Sequence, residues 1–313
     1  MTSLAALFPA TLEPAAPEAA RIAALYWNFL WVCTAVYVLV AVFLLLGLLR
    51  RAGTPDRRVS SRAVGAAFVV SALVLFGLLL LSLRAGRAIE SDRSASDLDI
   101  EVIGHQWWWE IRYPGTRPDE QVTTANEIHV PVGRTVRLKL SSDDVIHSFW
   151  VPSLNGKTDL IPGRWNYQTF RASRAGVFHG RCAEFCGYQH AHMAVLVVAQ
   201  PPEDFRGWLA AQRQPSRPPA TDVEKHGLDV FLGSTCILCH TIRGTGASGR
   251  KAPDLTHLAS RMTIAAATLQ NGPAQLGGWI SDSQGIKPGN HMPPNSLPGP
   301  DLIALISYLG SLR

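Results

Sequence analysis

Two long apolar runs dominate the first 90 residues of the chain. Residues 22–49 carry no charged side chain, and neither do residues 63–83. A helix needs about 20 apolar residues to cross the hydrocarbon core of a bilayer, so the two runs predict a transmembrane hairpin over residues 22–90. A secretory signal peptide is the alternative for the first run, but its apolar region has only about 7–15 residues and follows a basic segment, which this chain lacks.

Short segments of β character follow the hairpin. Apolar Val136, Leu138 and Leu140 alternate with polar Arg137 and Lys139, which is the two-residue period of a strand with one buried face. Several short strands separated by Gly, Pro, Asn and Asp turns favour an antiparallel sandwich or barrel. We predict strands over residues 98–113, 127–131, 135–140, 167–171 and 194–199.

The last third of the chain changes to a helical pattern. Thr221 and Glu224 have the spacing of a capping box, which predicts a helix over residues 222–232. Apolar residues at helical spacing predict another helix over residues 301–309. This part of the chain therefore has the character of a small all-α domain.

Composition divides the chain into five units. Prolines concentrated in residues 214–220 predict a linker, and a short helix is predicted before it over residues 203–212. The units are an outward-facing N-terminal segment, the transmembrane hairpin, the β domain, the short helix with its linker, and the helical domain; they span residues 1–21, 22–90, 91–202, 203–220 and 221–313.

Positive charge is concentrated between the two apolar runs. The connection has one acidic residue, Asp56, against five basic ones: Arg50, Arg51, Arg57, Arg58 and Arg62. Basic loops stay on the cytoplasmic side of a membrane, so the N-terminus and everything after residue 84 are expected outside. The formal net charge of +5 owes much to this loop, and it gives no indication of nucleic-acid binding.

Four residues with soft ligand atoms fall within twelve positions. They are Cys182, Cys186, His190 and Met193, and copper prefers such ligands over zinc, calcium or magnesium. His147 can bring a second imidazole. A single blue-copper ion needs only one cysteine, so the second thiolate indicates two copper ions that share bridging sulfurs, with the Met193 sulfur and a main-chain carbonyl completing their coordination. A disulfide would leave the histidine and the methionine unexplained, and a zinc site would not need Met193.

The sequence Cys236-Ile-Leu-Cys-His240 is the attachment pattern of a c-type haem. Cys236 and Cys239 form the thioether bonds in such a motif, and His240 binds the iron. A thioredoxin-like redox pair would need a βαβ setting, which the sequence does not indicate. A zinc knuckle would need a second pair of ligands.

Two methionines compete for the sixth position on the haem iron. Met262 follows His240 by only 22 residues, which is a short distance for the chain to reach the opposite haem face. Met292 stands in a Met-Pro-Pro context that resembles cytochrome c sixth-ligand loops, and this context favours it over the adjacent His291. A His/Met pair raises the reduction potential, as an electron acceptor requires.

The motifs around the copper loop resemble those of subunit II of haem-copper cytochrome c oxidases. The resemblance covers roughly residues 22–212. It rests on four segments, which are Gly104-His-Gln-Trp-Trp-Trp109, Asp-Val-Ile-His147-Ser-Phe-Trp150, Lys157-Thr-Asp-Leu-Ile-Pro-Gly-Arg164 and Cys182-Ala-Glu-Phe-Cys-Gly-Tyr-Gln-His-Ala-His-Met193.

This resemblance implies roles for individual residues. The β domain is expected to be cupredoxin-like and to hold the dinuclear copper A centre. The carboxylate of Glu184 matches a ligand of a magnesium ion at the contact with subunit I, and Trp107 matches the tryptophan through which electrons enter. The copper ligands implied are the Glu184 carbonyl and the side chains of His147, Cys182, Cys186, His190 and Met193.

A copper A subunit with a fused class I cytochrome c domain resembles the caa-type terminal oxidases. The resemblance implies the subunit through which electrons enter a proton-translocating oxidase of the bacterial cell membrane, with both termini and the redox domains on the periplasmic face. Electrons from a cytochrome c or a quinol-cytochrome c reductase would pass through haem c and copper A to the oxygen-reducing subunit I. Subunit III and membrane lipid are the other partners implied. The chain itself contains no candidate oxygen-reducing site.

Two other functions stay open at this point. The same copper subunit could serve a nitric oxide reductase, or the chain could be a free-standing membrane-anchored electron carrier. Residues 157–164 and Glu184, which look built for contact with an oxidase core, favour the oxidase over the carrier.

Some residues lie outside the family pattern. Many members carry a glutamate for proton uptake near the cytoplasmic end of the second helix, where this chain has Arg62-Ala-Val-Gly65. Asp143 and Asp144 form a hypothesis for electrostatic orientation of the donor or the fused cytochrome. Cys33 is expected to be a small buried hydrophobe. Ordinary structural roles are expected for His105, His129, His179 and His192.

Overall fold

The computed structural model describes residues 13–49, 56–91, 96–117 and 120–313. It begins with two long helices, α1 (Pro17–Leu49) and α2 (Arg57–Ser91). Both extend beyond the predicted apolar runs, because alanine and arginine at their polar ends are also good helix formers. Part of the predicted basic loop, with Arg50 and Arg51, lies outside the described residues.

The two helices form a membrane anchor. Each is apolar and long enough to cross a bilayer, and most of their large apolar side chains are exposed to the surroundings of the protein. Cys33 is exposed on α1, so the expectation that it is buried was wrong. The reason is that α1 packs along α2 and leaves most of its own circumference uncovered.

The N-terminal end of α1 is fixed to the β domain. The main-chain N–H of Ala15 donates to the carbonyl of Ser153 at 2.7 Å, and the N–H of Ser173 donates to the carbonyl of Ala15 at 2.8 Å. Arg21 donates to the carbonyl of Ala88 at 2.7 Å, which joins the outer ends of α1 and α2. Hydrogen bonds therefore join the helical hairpin to the β domain.

The β domain is a sandwich of two five-stranded sheets. One sheet has the order β3-β2-β1-β5-β8 and the other β4-β10-β9-β6-β7. Within them β1 runs parallel to β5 and β4 parallel to β10, and the other pairs are antiparallel. The strands are Leu98–His105, Trp108–Tyr113, Val122–Ala125, Glu127–Pro131, Val136–Ser142, His147–Trp150, Thr158–Leu160, Asn166–Phe170, Gly176–Cys182 and Ala194–Gln200, numbered β1 to β10.

Alternating side chains build the core of this sandwich. Along β5 the residues Val136, Leu138 and Leu140 are buried, whereas Arg137 and Lys139 between them are partly exposed, as the sequence pattern predicted. Apolar side chains from the inner faces of both sheets meet in one cluster. This is the packing of a cupredoxin-like sandwich.

Short helices form the rest of the chain. Helix α3 (Pro202–Arg213) packs on the sandwich near β3 and β4. The last domain contains α4 (Asp222–Gly233), α5 (Pro273–Ser281), α6 (Ser283–Ile286) and α7 (Gly299–Ser311), with a small β11–β12 hairpin, Thr263–Ile264 and Leu269–Gln270. Its separate apolar core lies between α4, α5 and α7. The Thr221 hydroxyl caps α4 by accepting from the N–H of Glu224 at 3.1 Å, as predicted.

Candidate metal centres

The copper loop joins three pieces of the sandwich. His147 begins β6, Cys182 ends β9 and Met193 directly precedes β10. Cys186 lies in the loop between β9 and β10, and His190 opens a single turn of 3-10 helix there. The N–H of Cys182 donates to the carbonyl of Met193 at 2.9 Å, so the two ends of the loop are pinned together.

This loop and β6 bring all the predicted copper ligands together. The two sulfur atoms of Cys182 and Cys186 lie 3.8 Å apart. The first of them is 3.9 Å from Nδ1 of His147 and 3.2 Å from the carbonyl oxygen of Glu184. The second is 3.6 Å from Nδ1 of His190 and 3.9 Å from the sulfur of Met193. Since a disulfide needs sulfur atoms about 2.05 Å apart, the two thiols are free.

A partly exposed carboxylate orients one of the imidazoles. Asp144 accepts from Nε2 of His147 at 2.8 Å, which turns Nδ1 of that ring towards the Cys182 sulfur, as outer partners of metal ligands commonly do. Burial opposes protonation of His147, but the hydrogen bonds with Asp144 and Cys182 outweigh it and raise the pKa. Sequence reasoning placed Asp144 at the docking surface and missed this inward role. Its position three residues before His147 was the available signal.

The thiol pair shares one hydrogen bond. The hydrogen bond from Cys186 lowers the pKa of the Cys182 thiol to about 3 despite its burial, and the same contact raises the pKa of Cys186. One thiolate is therefore stable in the buried pair at neutral pH. A thiolate is the form that binds metal, so the donor set fits a soft cation.

The main-chain carbonyl and the side-chain carboxylate of Glu184 point in different directions. Its carbonyl faces the Cys182 sulfur, whereas its half-exposed carboxylate forms an ion pair with Lys157 at 3.3 Å. A carboxylate at the surface beside the copper loop is compatible with a magnesium ligand, which stays a prediction.

The haem motif follows directly after α4. Cys236 and Cys239 lie on a turn of 3-10 helix and its cap, and the N–H of His240 donates to the carbonyl of Cys236 at 2.9 Å. Nδ1 of His240 lies 2.7 Å from the carbonyl of Pro253. Burial lowers the pKa of His240, so the ring is neutral, Nδ1–H donates to Pro253, and Nε2 keeps a lone pair for iron.

A cavity of about 440 Å³ opens beside this motif. Its lining includes both cysteines, His240 and, from the segment before α7, Met292. Met262 does not line it, and its side chain is 50% exposed. The structure therefore places Met292 and the adjacent His291 at the cavity and Met262 outside it. Largely apolar walls with thiols, imidazole and thioether at the edge fit a covalently attached haem.

One wall of the cavity comes from the copper domain. Gln106, Trp107 and Trp108 all line it. The indole N–H of Trp107 donates to the carbonyl of Cys186 at 3.0 Å, and its ring lies 5.4 Å from that of His291. Trp107 thus contacts both candidate sites.

Three of the four histidines expected to have structural roles have ordinary partners, and the fourth, His179, is exposed on β9. His105 stacks on Trp108 and bonds Glu110, and His129 stacks on Trp208. Nδ1 of His192 lies 2.8 Å from the side-chain oxygen of Gln189.

Comparison with known proteins identifies both domains. Residues 98–200 match the family described as cytochrome c oxidase subunit II, periplasmic domain, and residues 225–313 match the cytochrome c family. Cytochrome c oxidase subunit 2 of Alkalihalophilus pseudofirmus is 38% identical over 215 residues, which cover 68% of this chain and 61% of that protein. The same subunit of Bacillus subtilis is 33% identical over 233 residues, which cover 71% of this chain and 64% of that protein.

A solved structure is also similar to part of the chain. The periplasmic domain of subunit II of cytochrome oxidase from Bradyrhizobium japonicum is 31% identical, with 38% of this chain and 95% of that chain covered and a TM-score of 0.36. The chain spans somewhat less than two thirds of the length of the two relatives named above. It carries a periplasmic domain of the cytochrome c oxidase subunit II family, followed by a C-terminal cytochrome c domain.

Proposed function

We propose that the chain is the subunit through which electrons enter a terminal respiratory oxidase of the caa type. An external donor delivers electrons to haem c on residues 221–313, and they pass through copper A to subunit I, where oxygen is reduced. The observation that carries this proposal is the contact of Trp107 with both sites, the copper loop through Cys186 and the haem cavity through His291.

The copper ions are held by the soft donor set of the loop. The two thiolates, two imidazoles, thioether and carbonyl would hold a pair of copper ions, which would supply one-electron transfer when bound. The fixed loop keeps these donors in place in both redox states. The ligands proposed are the carbonyl of Glu184 and the side chains of His147, Cys182, Cys186, His190 and Met193.

The haem is held by four side chains around the cavity. Cys236 and Cys239 would form the thioether bonds, and His240 and Met292 would bind the iron. The hydrogen bond from His240 to Pro253 fixes the tautomer that leaves Nε2 available. The exposure of Met262 supports Met292 as the sixth ligand.

Membrane topology and partners belong to the same proposal. The basic residues of the helix connection stay in the cytoplasm, so both redox domains face the periplasm of a bacterial cell. Subunit I packs against the hairpin and meets the Glu184 carboxylate, where a magnesium ion can replace Lys157 as its partner. Subunit III and lipid surround the anchor, and oxygen reduction is coupled to proton translocation in the assembled complex.

Replacement of Trp107 by phenylalanine tests the route. The ring stays apolar but loses the N–H that bonds Cys186, so we expect slower electron transfer from haem c to copper A after photoreduction of the haem. Trp165→Phe is the matched control, because Trp165 precedes the edge strand β8 and its ring contacts Lys139 and not the copper loop or the haem cavity. Equal rates in both variants and the wild type would show that electrons do not pass through Trp107.

Capture of the native complex tests the wider assignment. Affinity purification from the native membrane is expected to bring down a haem-copper subunit, with two copper ions and one covalent haem per chain of this protein and with oxygen consumption by the complex. Recovery of the chain without such a subunit would indicate a free-standing carrier. Turnover of nitric oxide in place of oxygen would indicate the reductase.

A further inference from the structure

A buried lysine lies where the copper and cytochrome domains meet. Lys287 is 2% exposed, and its ammonium group donates to the carbonyl oxygens of Trp107 at 3.2 Å, His192 at 2.9 Å and Ala265 at 3.2 Å. The first two belong to the copper domain and the third to the cytochrome domain. All three donors of the lysine are used, so one cation joins the main chains of both domains.

The hydrogen-bond partners of this lysine are main-chain carbonyl groups, which carry a dipole and no formal charge. No carboxylate in the described part of the chain lies within ion-pair distance of Lys287. A buried ammonium loses its hydration, so it is stable only where hydrogen bonds replace the lost water. The three carbonyls can converge on the ammonium only in the docked arrangement of the domains.

A buried carboxylate of the copper domain makes a second connection to the cytochrome domain. Glu127 of β4 is 2% exposed, and its Oε1 accepts from the N–H groups of Met262 at 2.7 Å and Thr263 at 2.9 Å. The N–H of Ala194 at the start of β10 donates to the carbonyl of Ala266 at 3.2 Å. The copper domain thus bonds the same short stretch of the cytochrome domain at several points.

This stretch has an unusual backbone. Ala265, Ala266 and Ala267 all have φ between 55° and 57°, the left-handed region in which the Cβ of an L-residue crowds its own carbonyl. Such conformations persist only where surrounding contacts hold them. Here the carbonyl of Ala265 is held by Lys287 and that of Ala266 by Ala194. Contacts at the boundary with the copper domain therefore hold the turn in this conformation.

The linker is also held in place. The N–H and the hydroxyl of Ser216 both donate to the carbonyl of Arg243, at 2.9 and 2.8 Å. The proline-rich segment is thus fixed to the cytochrome domain and does not act as a free tether.

We infer that Lys287 is a positioning residue that locks the cytochrome domain onto the copper domain in one orientation. The haem cavity then stays beside Trp107 throughout turnover, and no movement of the domain is needed between electron transfers. This inference rests on the proposed function, since it concerns the transfer from haem c to copper A. Lys287 acts through Trp107, whose carbonyl it binds and whose indole bonds the copper loop.

The test uses the full chain in detergent with both cofactors loaded. A photoexcited ruthenium bipyridyl complex reduces the haem, and the copper absorbance then reports the internal transfer in buffers of increasing glycerol content. A locked domain gives a wild-type rate that is independent of viscosity. Lys287→Met keeps the length of the side chain but removes its donors, which lowers the docked population roughly ten-fold or more. We expect the transfer to slow by a similar factor and to become viscosity-dependent.

Lys225→Met is the matched control, because Lys225 is exposed on α4 and pairs with Asp222 on its own helix. It is expected to behave as the wild type, and all three proteins are expected to have the same haem and copper spectra. A wild-type rate in Lys287→Met, or a wild-type rate that falls with glycerol, would overturn the inference. The second outcome needs no variant, so it decides the matter even if Lys287→Met fails to fold. Absence of any transfer in the loaded wild type would instead contradict the proposed function.

Discussion

At the scale of single residues, Cys186 has two functions through two different atoms. Its sulfur lies next to Cys182, His190 and Met193, whereas its carbonyl accepts from Trp107. A side-chain substitution therefore changes the metal site and leaves the main-chain contact available.

We predict that Cys186→Ser abolishes the mixed-valence copper signal in electron paramagnetic resonance, because a hydroxyl cannot replace a bridging thiolate. The haem absorption spectrum is expected to stay normal. Cys33→Ser makes the same chemical change at an exposed position on α1 and is expected to keep the copper signal. A normal copper signal in Cys186→Ser would show that this sulfur does not bridge.

The sixth haem ligand can be tested by a pair of methionine substitutions. Met292→Ala is expected to give a high-spin haem that binds external ligands, since it removes a thioether from the cavity wall. Met262→Ala removes one that is outside the cavity and is expected to keep the low-spin spectrum. A low-spin spectrum in Met292→Ala together with a high-spin spectrum in Met262→Ala would assign the sixth ligand to Met262.

Glu110 gives a prediction about pH. Burial raises the pKa of its carboxyl, but hydrogen bonds from His105 and Arg112 outweigh burial and hold the pKa below its ordinary value of 4.5. The folded state therefore favours the ionised form, so this group contributes stability above pH 4.5 that is lost as the pH falls below it.

We expect Glu110→Gln to lower the free energy of unfolding at neutral pH and to weaken its decline on acidification. The measurement is denaturant unfolding at several pH values down to about pH 3. Glu203→Gln, which removes an exposed carboxylate from α3, is the control and is expected to keep the wild-type profile. Parallel profiles for Glu110→Gln and the wild type would contradict the prediction.

At the scale of elements, the close approach of α4 and α7 depends on one glycine. A Cβ atom added to Gly227 would lie 2.0 Å from the carbonyl oxygen of Ala304 and 2.7 Å from the Cβ of Tyr308. Both are main-chain or near-main-chain atoms and cannot move aside without shifting the helix. The core of the cytochrome domain is built on this contact.

Gly227→Ala is expected to destabilise the cytochrome domain by about 3 kcal/mol, the cost of overpacking at a rigid contact. Gly233→Ala lies on the same helix in open space and is expected to leave stability unchanged or raise it by up to about 1 kcal/mol. Thermal unfolding followed by haem absorbance measures both. Equal stability of the two variants would mean that the helices cross less closely.

Sequence periodicity predicted some elements well and others poorly. Strand β4 has the predicted bounds because its alternation is clear, whereas the predicted strand over residues 98–113 is two strands, β1 and β2, joined by a tight turn at residues 106 and 107. Strand β9 was missed because it contains two glycines. Gly180 is needed there, since a Cβ would lie 2.6 Å from the side chain of Val151, and a glycine within a strand weakens the sequence signal for that strand.

At the scale of the whole molecule, most residues of the two proposed ligand sets could be singled out because Cys182 to Met193 and Cys236 to His240 are short motifs. Their binding of metal stays a prediction. The contacts between domains could not be singled out, because they join residues far apart in the sequence. Lys287 and Trp107 are 180 positions apart, and a single lysine in a loop has no pattern that distinguishes it from a solvated one. The left-handed turn of three alanines likewise depends on contacts that only the folded chain supplies.

The buried connection through Lys287 has a consequence for ionic strength. Salt screens charges that face solvent, but it acts weakly on groups that are out of contact with water. The step between the two cofactors is therefore expected to be insensitive to salt, since its geometry is held by buried bonds within one chain. Any salt dependence of turnover then reports the encounter of the cytochrome domain with its external donor. Substitution of charged residues on the outer surface of that domain would identify the residues that cause this salt dependence.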